Sequence, residues 1–210
     1  MTKKERALLA VEILKKEYPD ALCSLTASNP FELLVAVRLS AQCTDARVNL
    51  VTPALFAKYK TLDDYANARL EDVEELVKSC GFYKNKAASI IGMAKMIRDE
   101  FDGKVPDTIE DLVKLPGVGR KTANLIVGDI YGKESIVVDT HMIRISNRLG
   151  LVNVKEPVKI EMALKKIIPP SEGSDFCHRI VLFGRDVCSA RKPKCDSCPM
   201  TVCCKRVGVK

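Results

Sequence analysis

The sequence predicts an all-α protein of two helical domains joined without a long linker. Apolar residues recur at helical spacing in segment after segment, no stretch alternates as a half-buried strand would, and Gly, Pro and Asn punctuate the segments at short intervals. Only residues 135–138, Ser-Ile-Val-Val, are short and β-branched enough to raise the question of a strand. With 210 residues, 47% of them hydrophobic, the chain can bury one large or two modest cores without disulfide staples. It has no repeat of fixed period and no low-complexity segment, so any division must be close-packed.

Residues 3–17 place Ala7, Leu8, Val11 and Leu14 on one helical face, and Tyr18-Pro19 ends that helix. Asn29-Pro30-Phe31-Glu32 opens the next: Asn29 can cap, Pro30 suits the first helical position, and Glu32 can return a bond to the cap. This helix runs to about Ser40, and residues 41–45, Ala-Gln-Cys-Thr-Asp, form a polar break whose groups face an edge or a ligand. A third helix over 46–58 contains Pro53, expected to kink or restart it. Thr61 opens a short helical piece, and residues 70–79 repeat Leu70, Val73, Leu76 and Val77 before Gly81 stops them. Phe82-Tyr83-Lys84-Asn85-Lys86 reads as a loop whose rings either stack on a ligand or pack into the core. Residues 87–101 form a long helix, 108–114 a short one with Asp107 as N-cap, and 155–168 and 174–186 two more, separated by Pro169-Pro170.

Residues 115–139 organise the rest. Pro116, Gly117 and Gly119 favour a sharp turn, and Ala123, Ile126, Val127 and Ile130 then give a helix from about Arg120 to Tyr131. A helix-hairpin-helix unit follows, in which the N–H groups of Gly117, Val118 and Gly119 are expected to be free at a helix N-terminus, a seat for phosphate. The spacing of a Walker loop is absent. An ordinary connection between packed helices would use the same turn. Lys121 lies in the first turn of the second helix, where the helix dipole disfavours a further positive charge. A lysine that attacks an electrophilic carbon to form a Schiff base must be neutral, so the placement suits a nucleophile; a solvated lysine assisting phosphate binding is the plain alternative. Asp139 precedes Thr140 as a natural N-cap of a helix over 140–149, and a carboxylate held there could also stabilise a cation developing on a sugar.

The formal net charge of +7 suits a polyanionic partner. No apolar run reaches membrane-spanning length, and the charged, amphipathic start lacks the apolar core of a signal peptide, so a cytoplasmic protein is expected. Nine cysteines in a reducing compartment are not a disulfide framework. Cys23, Cys43, Cys80 and Cys177 are scattered through helical patterns, as small buried hydrophobes are. Cys188, Cys195, Cys198 and Cys204 instead have the spacing C-x6-C-x2-C-x5-C. Four thiolates can hold zinc or an iron–sulfur cluster; a zinc ribbon presents two C-x2-C knuckles and only one is present, which favours a [4Fe-4S] cluster. Cys203 could substitute for Cys204. Arg191, Lys192 and Lys194, between the first two cysteines, suit phosphates nearby or are simply solvated.

Together, LPGVGRKTAN at 115–124, VDTH at 138–141 and the four-cysteine spacing resemble the endonuclease III family of DNA base-excision glycosylases. FELLVAVRLSAQCTD at 31–45 and GFYKNKA at 81–87 are similar to that family's DNA-facing segments, so the resemblance spans nearly the whole chain. It implies a six-helix barrel over 23–132 carrying the hairpin, and a second domain of 1–22 plus 133–210 carrying a [4Fe-4S] cluster, with the damaged nucleotide flipped into the cleft between them. It implies a monomer acting on double-stranded DNA that contains a damaged pyrimidine or an abasic site. By the same resemblance Lys121 attacks the sugar C1′, Asp139 supports the reaction, and the Schiff base permits β-elimination. Gln42 fills the gap left by the flipped base, Phe82 stands where the family usually has a leucine wedge, and Asp45, Gly117, Val118, Gly119, Arg191 and Lys192 contact DNA. Cys188, Cys195, Cys198 and Cys204 hold the cluster, and Arg144 faces their thiolates. Cys43 stands where alanine is common and receives no role; His141 and His178 are assigned structural hydrogen bonds. A monofunctional mismatch glycosylase of the same superfamily is disfavoured by Lys121, because such relatives generally use another residue there and activate water. A non-catalytic DNA-binding module with a redox cluster would leave Lys121 and Asp139 without a purpose.

Overall fold

A computed structural model describes residues 1–209, which form eleven α-helices, three short 3-10 turns and no strand. The first helix, α1 (Lys3–Glu17), starts from a capping box: the Glu5 N–H donates to Thr2 Oγ1 at 3.2 Å and the Thr2 N–H to Glu5 Oε2 at 2.7 Å. It buries Ala7, Ala10, Val11 and Leu14.

By contact the chain divides into two units, residues 24–130 and residues 1–23 with 131–210. The first holds α2 (Pro30–Ser40), α3 (Asp45–Lys58), α4 (Leu62–Ala66), α5 (Leu70–Val77), α6 (Tyr83–Glu100), α7 (Ile109–Leu112) and α8 (Arg120–Asp129). This unit thus holds seven helical segments, of which α4 and α7 are short and each fixed by a threonine cap, Thr61 and Thr108. Helix α6 is the axis of this unit: α4, α5 and α2 pack on it through Ala87, Ile90, Met93, Ala94 and Ile97, all buried. Helix α2 is apolar nearly all round, burying Leu33, Leu34, Val35, Ala36 and Leu39, and also meets α3 and α8.

Several local expectations are corrected. The Asn29 side chain caps α2, but Glu32 accepts from the Ser28 N–H at 2.6 Å, one residue before the cap. Pro53 neither breaks nor restarts α3; it lies on the exposed side, where solvent can serve the carbonyl that loses its helical donor. Thr108, not Asp107, caps α7, its Oγ1 accepting from the Asp111 N–H at 3.2 Å. Helix α8 ends at Asp129, short of Tyr131. Residues 83–86 are not a loop but the first turn of α6. Lys86 decides this: it is 1% exposed, and its Nζ donates to the Leu39 and Cys80 carbonyls at 2.8 Å each, pinning the turn to the end of α2 and to the 3-10 turn Lys78–Cys80. A lysine in a basic segment is here a buried strut.

The second unit holds α1, α9 (Thr140–Leu149), α10 (Pro157–Lys165) and α11 (Gly173–Asp186). Its core joins Leu14 of α1 to Ile145, Ile160, Phe176, Ile180 and Phe183. Gly184 lets α9 and α11 approach closely, since a Cβ there would run into His141 Nδ1. Residues 135–138 form no strand; Ile136 and Val138 are buried in this core and the Val137 N–H donates to Cys177 Sγ at 3.2 Å.

Candidate active site and DNA interface

In the unit of residues 24–130 the glycine hairpin is built on α6 and α2. Leu112 and Leu115 are buried, and the Val118 N–H donates to the Leu115 carbonyl at 3.1 Å, closing the turn. Of the three amides expected to be available, Val118 is therefore spent inside the hairpin, and its side chain is buried. Gly117 has φ +79° and is seated so tightly that a Cβ would stand 2.6 Å from Arg38 Nε and 2.8 Å from Ser89 Oγ. Pro116 covers Gly92 of α6 in the same way. Gly119 is the N-cap of α8 and brings no side-chain acceptor, so the first turn of that helix has no capping side chain. Lys121, second residue of α8, projects from this turn with an exposed side chain.

Gln42 and Phe82 flank the hairpin's supports. Both are non-glycine residues in the left-handed region, with φ +54° and +47°, and both are exposed, Phe82 by 69%. Such conformations cost about 1–3 kcal/mol each and collect at functional positions. Arg38, at the end of α2 just before the Gln42 loop, donates from Nη2 to Asn85 Oδ1 at 3.0 Å, and Ser89 Oγ donates to the Asn85 carbonyl at 2.8 Å. The Gln42 loop, the start of α6 after Phe82 and the hairpin are thus tied through one arginine. Asp45, first residue of α3, accepts from Ser24 Oγ at 2.5 Å and holds the chain before α2.

Asp139 belongs to the other unit, where it caps α9: its Oδ1 accepts from the Met142 N–H at 2.8 Å. The capping bond and the buried Val138 beside it fix the half-buried carboxylate in place. In the same unit Cys188, Cys195, Cys198 and Cys204 line one cavity with Arg148, Phe183 and Met200. Burial pushes the Cys198 and Cys204 thiols up, and the neighbouring cysteines add to it. Cys203 is absent from that wall; it is buried in the core, its thiol pushed up to about 11 by burial, and its carbonyl accepts from Arg6 Nε at 2.7 Å. Among the described residues no three His, Cys, Asp or Glu side chains are grouped to hold one metal ion. Arg191 and Lys192 are exposed on a loop closed by Ser189, whose Oγ donates to the Lys192 carbonyl at 2.7 Å.

Arg144 hydrogen-bonds the backbone of the cysteine segment, not a thiol. Because Gly184 brings α11 so near, its guanidinium is caught by the Cys188 and Gly184 carbonyls, both at 3.1 Å, and contacts His141 Nδ1 at 3.1 Å. The thiol contact falls to Arg148, one turn further along α9: Nη1 donates to Cys188 Sγ at 3.3 Å and to the Ser189 carbonyl at 2.7 Å, and Nη2 to the Ala190 carbonyl at 2.8 Å. Its position four residues after Arg144 was the signal available in the sequence.

Comparison with known proteins decides the family. Residues 35–170 match the HhH-GPD superfamily base excision DNA repair protein family. The chain is 48% identical to Endonuclease III of Synechocystis sp. (strain ATCC 27184 / PCC 6803 / Kazusa), over 97% of this chain and 93% of that protein. It belongs to the endonuclease III family. It is also 48% identical to Endonuclease III of Bacillus subtilis (strain 168), over 90% of this chain and 86% of the relative. A solved structure of a trapped endonuclease III–DNA covalent intermediate, an estranged-adenine complex, superposes with a TM-score of 0.90 at 46% identity, covering 98% of this chain and 97% of that one. Membership of the endonuclease III family makes this chain a base-excision repair DNA glycosylase with AP lyase activity.

Proposed function

We propose that this glycosylase and lyase removes oxidised or ring-saturated pyrimidines from duplex DNA through a Schiff base on Lys121, acting in the cytoplasm. The observation that carries the reading is Lys121 itself, an exposed amine on the first turn of α8 directly behind a rigid glycine hairpin. Phosphate bound at the uncapped helix start would hold the DNA backbone beside that amine. The neutral Lys121 Nζ attacks C1′ and the C1′–N bond to the base breaks, the base leaving with a proton. Ring opening then gives the imine, and loss of a C2′ proton expels the 3′ phosphate. We assign Asp139 the electrostatic support of the cationic sugar and of the lysine, a role its capping bond suits by fixing the carboxylate.

Gln42 and Phe82 are assigned to the space vacated by the flipped nucleotide, since both are exposed and held in strained backbone. The hairpin residues Gly117, Val118 and Gly119, with Asp45, Arg191 and Lys192, complete the DNA-facing set, Val118 and Asp45 by holding backbone rather than by offering a free group.

Cys188, Cys195, Cys198 and Cys204 are assigned to a [4Fe-4S] cluster. Four thiols on one cavity wall, with Arg148 against Cys188 Sγ and the Arg206 N–H donating to Cys204 Sγ at 3.3 Å, suit a polynuclear anionic group better than a zinc ion that needs every sulfur about 2.3 Å from one point. The cluster would crosslink the segment that carries Arg191 and Lys192.

The test is borohydride trapping on a duplex with one abasic site, comparing wild type with Lys121→Ala at equal cluster content and equal DNA binding. An adduct formed only by the wild type supports the assignment; an adduct of equal yield in the variant, or none from DNA-bound wild type, overturns it.

A further inference from the structure

Against the hairpin, in the unit of residues 24–130, lies a charge that costs the fold stability. Arg38, near the end of α2, is half-buried; its Nη2 donates to a neutral partner, Asn85 Oδ1 at 3.0 Å, and its buried Nε has no partner. Burial lowers the pKa of the guanidinium from its ordinary value. The next residue, Leu39, gives its carbonyl to the Lys86 ammonium, so two cations stand at this end of α2, and among the described residues neither pairs with a carboxylate. A half-buried cation with one neutral hydrogen bond is a net cost to folding, and an apolar side chain of similar length would fill the place more favourably. Stability therefore does not account for Arg38. What this side chain does hold is the position of its neighbours.

Three segments with assigned roles are joined through it. Helix α2 continues from Arg38 into the loop that carries Gln42, four residues on. Asn85 is an exposed residue of the first turn of α6, three residues after Phe82, and its carbonyl accepts from Ser89 Oγ at 2.8 Å. Gly117 of the hairpin rests against Arg38 Nε and Ser89 Oγ, which leave no room for a Cβ. Pro116 sits on Gly92, so α6 already fixes the hairpin relative to Phe82. Arg38 adds the third side, from the end of α2.

We propose that Arg38 is a positioning residue for the lyase reaction: through Asn85 and Gly117 it sets the spacing of the Gln42 loop, Phe82 and the hairpin before DNA arrives. The spacing matters because phosphate contacts hold the DNA backbone, while the attacking amine must reach C1′ of a nucleotide turned out past Gln42 and Phe82. Arg38 touches no reacting atom. Without its fork the end of α2 and the start of α6 can shift against each other, so fewer bound complexes are productive although the phosphate contacts are kept. The identity of the groups positioned rests on the proposed function; the coupling of Arg38 to Asn85 in the lyase rate does not.

The experiment uses cluster-loaded protein and follows β-elimination at a preformed abasic site under single-turnover conditions. Affinity for the same duplex and the urea midpoint are measured beside it, for wild type, Arg38→Met, Asn85→Leu and the double variant. Met keeps an aliphatic stem against Gly117 and removes the fork; Asn85 is exposed, so Leu there does not threaten the fold. Each single variant should be slower by about tenfold, and the double variant no slower than either. Affinity should stay within about twofold of wild type, and the urea midpoint of Arg38→Met should lie at or above that of wild type. Additive losses in the double variant, affinity falling in step with the rate, a midpoint that drops with the rate, or an unchanged rate would each overturn the proposal. Trapping by Lys121→Ala would show a wrong nucleophile instead, and it leaves the Arg38–Asn85 coupling intact, because elimination rates read that coupling whichever amine forms the Schiff base.

Discussion

The glycine hairpin and the cysteine segment are both irregular backbone, yet they are held in opposite ways. The hairpin is locked by its neighbours: Gly117 fills a slot bounded by Arg38 and Ser89, Pro116 covers Gly92, and the Val118 amide closes the turn. Residues 188–204 bury only Met200 and Cys203 in the core, and hang on carbonyl contacts from Arg148, Arg144 and Arg6 and on four thiols around a cavity. The first is rigid by packing. The second, on the proposed assignment, would owe its order to the cluster its thiols hold. Under the proposed assignments, the nucleophile would stand on the region that needs no cofactor, and the cofactor would serve the region assigned to backbone contacts.

The largest test of that contrast is Cys198→Ser. If the proposed cluster is lost, the segment should lose a stabilisation on the order of 10 kcal/mol, the low end for structural metal sites, and limited proteolysis should cut between residues 188 and 204 while residues 24–130 stay intact. Equal protection of both regions would break the comparison. The converse change is Gly117→Ala, which places a Cβ at positive φ and against Arg38; about 2–4 kcal/mol should be lost in urea denaturation. Cluster absorption should not change, and abasic-DNA affinity should fall with the hairpin.

Much of this architecture was legible in the sequence, because helical periodicity and caps are local. Asn29 before Pro30 and Asp139 before Thr140 do cap their helices, and no strand forms among the described residues. What was hidden depends on partners far along the chain. Lys86 reads as one basic residue among several until Leu39 and Cys80 supply its acceptors. Arg144 and Arg148 are equivalent by spacing, and only the close approach at Gly184 decides which of them reaches a thiol. Val118 was expected to offer an amide that the turn itself consumes.

Lys86 gives the next, smaller test. Lys86→Met keeps most of the volume but leaves the Leu39 and Cys80 carbonyls without their donor, so about 2–3 kcal/mol should be lost. Hydrogen exchange should quicken in the first turn of α6 and not in residues 188–204. Faster exchange in both would mean that the hairpin region is less self-sufficient than its packing shows.

The smallest effect concerns the way the cysteine segment is tied to the chain start. Arg6 donates to the Cys203 carbonyl from the first turn of α1, and that turn is held by the Thr2 and Glu5 capping box. Hydrogen bonds from the Thr2 backbone and side chain hold the Glu5 carboxyl below its ordinary 4.5. Its folded value is depressed, so its stabilising contribution is complete above 4.5 and is lost as pH falls through the lowered value. Glu5→Gln should therefore flatten the acid limb of α1 unfolding slightly and leave neutral-pH stability nearly unchanged, whereas Thr2→Ala should cost about 1 kcal/mol at every pH where the cap forms. Amide exchange at Arg6 and Cys203, followed from pH 6 downward, reads both. If Cys203 exchange rises with that of Arg6 as the box is protonated, the cap reaches the cysteine segment through one guanidinium; if only Arg6 responds, the segment's order comes wholly from Arg148, Arg144 and the thiols.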